Sequence, residues 1–293
     1  MTGLAALTKR IKLFASVAVL TLPPAMIARM AVTIDSIAPG RFGVNIVSGW
    51  QKAEYDQMGL WPGDEYFGYR SDYSTEYVAI MRELWETGRS DFKGAHFTMN
   101  DCHMLPKPTH PITIVLAGQN DRGMKFVADY CDYNFVASIE DNNPKAVATT
   151  IERLKKATAG VERKIGASAL LAIIADEADE ADEKAQAKLK HYNAGADVEA
   201  LAWMSGQSQI NVKASKQSTA ALLSKARETA KASYLQTFCG SYAKLAAYLD
   251  EIAEIDGVAG VMLTFDDFLL HMDQFAERIQ PLMKSRNHIK MAA

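Results

Sequence analysis

Asn45 stands near the end of a short, mostly apolar run, Arg41 to Val47, and Ser48, Gly49 and Trp50 follow it as a loop. An amide at the carboxyl end of a buried strand, then a permissive glycine and a large aromatic, is how α/β proteins line ligand pockets. A solvated strand end with a core tryptophan accounts for the same residues. A second chemical position is Gly118 to Asp121. Gly118 allows close backbone approach, and Gln119, Asn120 and Asp121 stand where a helix begins, so their N–H groups and the helix dipole could hold a phosphate. Asp121 acting as the helix N-cap is compatible with that. Asp266 and Asp267 end the last apolar run and either accept from a substrate N–H or cap the next helix. Trp50 and Trp61 could stack on a planar ligand or simply be buried. Ser16, inside the first strand, reads from pattern alone as a satisfied core hydroxyl. His103, beside Asp101 and Cys102, has no second histidine at ligand spacing; it reads as a loop residue and no metal is expected.

These residues ride on a repeating pattern. After a helix end at residues 2–9, Ile11 to Leu20 reads as a buried strand, Pro24 to Ile37 as a helix and Arg41 to Val47 as a strand. An aromatic, Gly-containing loop is expected from Met58 to Tyr69. From about Arg70 to Glu86, Tyr73, Tyr77, Ile80, Met81 and Leu84 fall at helical spacing. Asp91 to Met99 reads as a small hairpin, and the three prolines between Leu105 and Ile112 as a stiff connector. Strand and helix then alternate: Ile112–Ala117, Asp121–Tyr130, Asp132–Ser138, Pro144–Gly160, Ile165–Ile174, Asp179–Ala194. The acidic start of the last helix suits its dipole and reads as a solvated terminus rather than a metal site. Residues 205–237 break the rhythm and carry five Lys or Arg between Lys213 and Lys231. They read as an insertion or lid favouring an anion, or as a solvated loop. A helix from Ser241 to Ile255, a strand from Val258 to Phe265 and helical segments from Gln274 to Arg286 close the chain. Six strands, each followed by helix, predict a parallel sheet with its site at the strands' carboxyl ends. A closed barrel of about eight strands needs two more.

The 293 residues suffice for one large domain or two smaller ones, and 48% hydrophobic with 23% charged residues is ordinary for a globular chain. A net charge of -3 gives no basic face for nucleic acid. Three dispersed cysteines, Cys102, Cys131 and Cys239, fit a reduced, cytoplasmic setting. Lys9, Arg10 and Lys12 before the apolar run Leu13–Leu22 imitate a targeting signal, but Pro23, Pro24 and the amphipathic residues after them fit a strand followed by a Pro-initiated helix. No uncharged stretch reaches the roughly 20 residues of a membrane span.

The run ASVAVLTLPPAMIARMAVTIDSIAPGRFGVNIVSGWQKAEYDQMGLWPGDEYFGYRSDYSTEY resembles the bacterial luciferase-like flavin monooxygenases. NIVSGWQKAEYDQMG, TMNDC, VLAGQNDRGM, LTFDDF and ERIQPLM resemble the branch of that family that opens pyrimidine rings. The likeness runs from Leu4 to Met283 and is weakest between Ser205 and Thr237. It implies a single (β/α)8 TIM-barrel domain over 1–293 with 205–237 as insertion or lid. It also implies reduced FMN delivered by a flavin reductase using NADH, dioxygen as co-substrate, and uracil or thymine opened to a ureidoacrylate-type product in pyrimidine nitrogen catabolism. A homo-oligomer is compatible with it. The family's flavin contacts fall on Asn45, on Glu54 of the WQKAEY run, on Arg70 and on the AGQ motif with Gly118 and Gln119. This chain has Ser71 where the family has an aromatic and Asn120 where it has a small hydroxyl; Arg70 keeps the charge a phosphate needs. Flavin oxygenation requires a dry pocket whose donors hold dioxygen and the developing anion against the ring, and the resemblance makes Asn45 and Ser16, on adjacent strands, those donors. A luciferase-like enzyme for another small substrate, and a catalytically inactive remnant, are the rival readings. The family's first two strands and a helix would lie upstream of Leu4, so the expectation is an N-terminally truncated barrel that binds flavin weakly if it truly starts at Met1.

Overall fold

A computed structural model of the chain describes residues 1–49, 51–176, 181–197, 199–200, 202–203 and 235–286. They form two compact units, Met1–Asn134 with Val161–Lys164, and Phe135–Gly160 with Ile165–Ala293.

In the first unit, α1 (Thr2–Leu7) leads to strand β1 (Leu13–Ala18), helix α2 (Pro24–Ile37), strand β2 (Phe42–Val47), the short α3 (Lys52–Asp56) and the long α4 (Tyr66–Thr87). Pro24 starts α2 because its missing N–H falls among donors a helix start leaves unpaired anyway. Asp35, near the end of α2, is buried and accepts from Gly40 N (2.9 Å), Thr109 N (2.9 Å) and Thr109 Oγ1 (2.8 Å), which pins the turn into β2 and the proline connector. Arg41 reaches back to Ala5 O (2.9 Å), Thr8 O (2.8 Å), Thr8 Oγ1 (3.0 Å) and Ile11 O (3.0 Å). Gly88, at φ 81°, ends α4 by donating its N–H to Leu84 O. The hairpin expected over Asp91–Met99 is reduced to a single bridge between Lys93 and Thr98, and the paired strands lie outside it, as a two-residue antiparallel ladder of β3 (Arg89–Ser90) against β4 (Cys102–His103). Next come β5 (Thr113–Leu116), α5 (Asp121–Tyr130) and β6 (Tyr133–Val136).

The strands pair in parallel, β1 with β2, β2 with β5, and β5 with the start of β6. The register sets Ser16 beside Asn45 and Asn45 beside Val115. Tyr66, Tyr77, Ile80, Met81 and Leu84 of α4 and Ile46 and Ile114 of the strands are fully buried and make the core. The expected loop Met58–Tyr69 is corrected at its end: α4 begins at Tyr66, so Arg70 and Ser71 lie in its second turn rather than at its start.

In the second unit a short 3-10 turn (Pro144–Val147) runs into α6 (Ala148–Ala157), followed by β7 (Gly166–Asp176), α7 (Ala181–Ala194), β8 (Gln236–Ser241), a helix (Tyr242–Ala253) and β9 (Val258–Phe265). β7 pairs in parallel with β8 along Leu171–Asp176 and with β9 along Ala167–Ile173. β8 was not expected. Its polar sequence is held by side chains of the loop after β6: Asp141 accepts from Thr237 N (2.8 Å), and Asn142 Oδ1 accepts from Cys239 N (2.8 Å). Gln236 and Thr237, which close the segment expected as a lid, are therefore strand residues; positions 205–234 of that segment lie outside the described residues, as do Trp50 and the acidic positions 179–180.

Candidate functional site

Parallel register brings two of the expected residues together. Asn45 Nδ2 donates to Ser16 Oγ (3.1 Å), and Asn45 Oδ1 is buried without a hydrogen-bond partner. Turning the amide over only exchanges which atom is left unpaired, so the side chain keeps an unused hydrogen-bonding group either way. Ser16 is exposed, which corrects its reading as a core hydroxyl. With the amide donating as it does here, Oγ accepts from Asn45 and the hydroxyl proton is turned onward as a donor.

Beyond β2, Gly49 adopts φ 76°, a backbone state that favours glycine. The loop there is held from α4: Tyr66 O–H donates to Ser48 O (2.6 Å) and Arg70 Nη1 donates to Gly49 O (3.2 Å). The Arg70 guanidinium also lies 5.6 Å from the Phe67 ring centroid. Burial pushes its pKa below the ordinary arginine value; Tyr66 opposes that and the Arg122 cation adds to it. No carboxylate partners Arg70 among the described residues. Arg122 is itself paired with Asp72 (2.7 Å). A half-buried cation with a second cation nearby and no carboxylate is a place where an anion is stabilised. Ser71 lies one residue on in α4, its carbonyl accepting from Thr75 Oγ1, and Glu54 stands exposed in the first turn of α3.

The Gly118–Asn120 turn is tighter than expected. A Cβ at Gly118 would meet the Gly123 backbone at 2.7 Å, so the close approach this glycine permits is to its own helix. Asn120, not Asp121, caps α5, its side chain accepting from Gly123 N (2.8 Å). Asn thus keeps the capping role a small hydroxyl would have, and leaves its Nδ2 as a donor. Gln119 is buried. Asn134, fully buried at the start of β6, clamps the turn by accepting from Gly118 N (2.8 Å) and donating to Gly118 O (3.0 Å). Sequence reading missed Asn134 and Tyr66; the available signals were a lone amide in an apolar strand and the first aromatic of EYFGYR.

In the second unit the two candidate aspartates divide their roles. Asp267 caps the Phe268–Gln274 helix, Oδ1 accepting from Leu269 N (3.1 Å) and Leu270 N (3.0 Å), while Asp266 lies 2.6 Å from Nδ1 of the buried His271. Trp61, half-buried, packs on Tyr55, Tyr66 and Phe67 and donates to Asp64 (3.2 Å). His103 is in β4 rather than a loop, with Nε2 2.8 Å from Asp101.

Parallel strand-and-helix units, a polar pair on neighbouring strands and, beyond them, a cation with no carboxylate partner among the described residues define an α/β protein of the enzyme class whose site lies at the strands' carboxyl ends. The chain belongs to the luciferase-like monooxygenases, whose family profile matches residues 1–257. It is 53% identical over 289 residues to the pyrimidine monooxygenase RutA of Klebsiella pneumoniae subsp. pneumoniae, covering 99% of this chain and 78% of that protein. To the pyrimidine monooxygenase RutA of Bradyrhizobium sp. (strain BTAi1) it is 56% identical over 286 residues, covering 98% and 78%. Among solved structures, a riboflavin lyase with modified FMN and riboflavin superposes with a TM-score of 0.78 at 17% identity, over 97% of this chain and 72% of that one. The fold is accordingly the luciferase-like (β/α)8 type that the motifs implied.

Proposed function

We propose that the chain is an FMN-dependent monooxygenase that opens the pyrimidine ring of uracil or thymine to a ureidoacrylate-type product, with dioxygen as co-substrate. The observation that carries the cofactor assignment is Arg70: its guanidinium is half-buried, has no carboxylate partner among the described residues and is held on a carbonyl just after the Asn45 strand, so it fits a flavin phosphate. The unpaired Asn45 amide atom fits a polar ligand on the same strand. Arg70, Ser71, Glu54 and the Gly118–Gln119–Asn120 turn would hold the flavin together with Asn45. Bound in reduced form, FMN supplies the electrons that activate dioxygen. The remaining work falls to the chain. Asn45 fixes Ser16 by a hydrogen bond and leaves the hydroxyl proton directed outward, where it stabilises negative charge developing on oxygen. Arg70 anchors by charge, while Tyr66, bonded to Ser48 O and backed edge-on by Trp61, shields the loop after the Asn45 strand from water.

A partner flavin reductase using NADH belongs to the same proposal. The free cysteines Cys102, Cys131 and Cys239 support a cytoplasmic setting, and no helix among the described residues is long and apolar enough to cross a membrane. The test is incubation of the chain with uracil, a flavin reductase, FMN, NADH and isotopically labelled dioxygen. A ring-opened product carrying one labelled oxygen is expected; flavin reoxidation with uracil left intact would refute the substrate.

A further inference from the structure

α4 begins without a side-chain cap, and Gly68 sits in its first turn. A helix start of this kind frays unless something outside holds it. Arg70 is carried by that stretch.

The brace comes from the turn between Lys93 and Thr98. Glu76, further along α4, accepts from three successive backbone N–H groups, those of Ala95 (2.7 Å), His96 (2.8 Å) and Phe97 (3.0 Å). A carboxylate facing consecutive amides makes charge-assisted bonds and fixes main chain, not merely a side chain. Gly94 leaves the carboxylate its room, for a Cβ there would run into it. Clamped in this way, the turn lays His96 flat on Tyr69, with ring centroids 4.9 Å apart and planes 14° from parallel. It also brings Phe97 to 4.6 Å from Tyr73. Tyr69 meets Tyr66 edge-on at 5.3 Å, and Tyr66 is the residue bonded to Ser48 O. The next residue after Tyr69 is Arg70, bonded to Gly49 O.

We infer that Glu76 is a positioning residue for the cofactor site: through the 94–97 turn and the His96–Tyr69 stack it fixes the first two turns of α4, and so the place at which Arg70 meets the flavin phosphate. This rests on the reading of Arg70 as the phosphate ligand. It requires that loss of the clamp weaken recognition of the phosphate and leave recognition of the isoalloxazine ring nearly untouched.

FMN and riboflavin differ by that phosphate, so the readout is their affinity ratio, measured by fluorescence titration of the full chain, with circular dichroism confirming the fold of each variant. Arg70→Ala and Glu76→Ala should each reduce the FMN preference about tenfold. His96→Ala should reduce it about threefold, and His96→Phe, which keeps a stacking ring, should restore it. Glu76→Gln, which keeps one acceptor oxygen, should fall between wild type and Glu76→Ala. If Arg70→Ala abolishes the preference while Glu76→Ala and His96→Ala only lower the melting temperature, the clamp is merely structural and the inference is overturned. An Arg70→Ala variant with the wild-type ratio would instead refute the phosphate reading, and the role of Glu76 with it. Should Glu76→Ala fail to fold, the two His96 variants decide alone: an unchanged ratio in His96→Ala overturns the inference.

Discussion

Replacing Asp35 by Asn tests whether one buried carboxylate sets the loops that feed the two strands flanking the candidate site. One carboxylate oxygen accepts from Gly40 N–H and the other from both Thr109 N–H and its hydroxyl. An amide has one acceptor, so its better orientation serves Thr109 and turns an NH2 group towards the Gly40 N–H. That orphans one partly buried donor, at about 1–3 kcal/mol, and removes charge assistance from the other two bonds, at about 0.5–1 kcal/mol each. The sum is about 2–5 kcal/mol at neutral pH. The pH dependence has a definite sign. Burial raises the Asp35 pKa, but the bonds from Gly40, Thr109 and the His110 backbone outweigh it and hold the carboxyl below its ordinary value. A depressed folded-state pKa gives stability that is fully present above the unfolded value, about 3.9, and is lost as pH falls through the folded one. Urea unfolding of wild type and Asp35→Asn between pH 7 and pH 3 should therefore show a gap that is constant down to about pH 5 and narrows below it. A gap under about 1 kcal/mol at pH 7, or one that does not narrow in acid, would refute the reasoning.

Asn45→Leu keeps side-chain volume and removes both amide atoms; ring opening should fall about a hundredfold while FMN affinity changes far less, with hydrogen peroxide appearing in place of product, and wild-type product yield would exclude Asn45 from oxygen handling. Gly118→Ala drives a Cβ against the Gly123 backbone at 2.7 Å and should cost about 1–3 kcal/mol by chemical denaturation, an unchanged midpoint showing that the turn can relax.

The sequence announced those elements whose ends carry local chemistry. α2 from Pro24 and α5 from Asp121 start where proline and Asn120 set them, and β9 matches its apolar run from Val258 to Phe265. β8 carried no such mark: QTFCGS reads as loop, and its partners are Asp141 and Asn142, far away in sequence. The start of α4 was misplaced for a related reason. Nothing local caps Tyr66, whose place is fixed by burial and by Ser48, so the glycine after it looked like loop. Of the site, the pairing of Asn45 with Ser16 came from the family resemblance, since pattern alone made Ser16 a core hydroxyl; the parallel register is what sets the two side by side. The Asn134 clamp on Gly118 was not, since a side chain bonding distant main chain leaves no periodicity to read. Asp267 shows the converse: a polar residue just before a helix was most simply a cap, and is one, whereas at α5 the cap falls one residue before the expected Asp121, on Asn120.

Arg41 separates what heredity must keep from what it can let drift. Its guanidinium addresses residues 5–11 chiefly through their carbonyl oxygens, which every amino acid supplies. Ala5 and Ile11 can therefore be exchanged, within the limits of packing, without altering the message that places them. At position 41 there is no synonym. Lysine preserves the charge but offers a single point in place of a planar fork, and cannot span the four acceptors that the two terminal nitrogens of Arg41 divide between them. The variation tolerated in this connection should thus be lopsided: wide among the residues that are held, and narrow at the one that holds them.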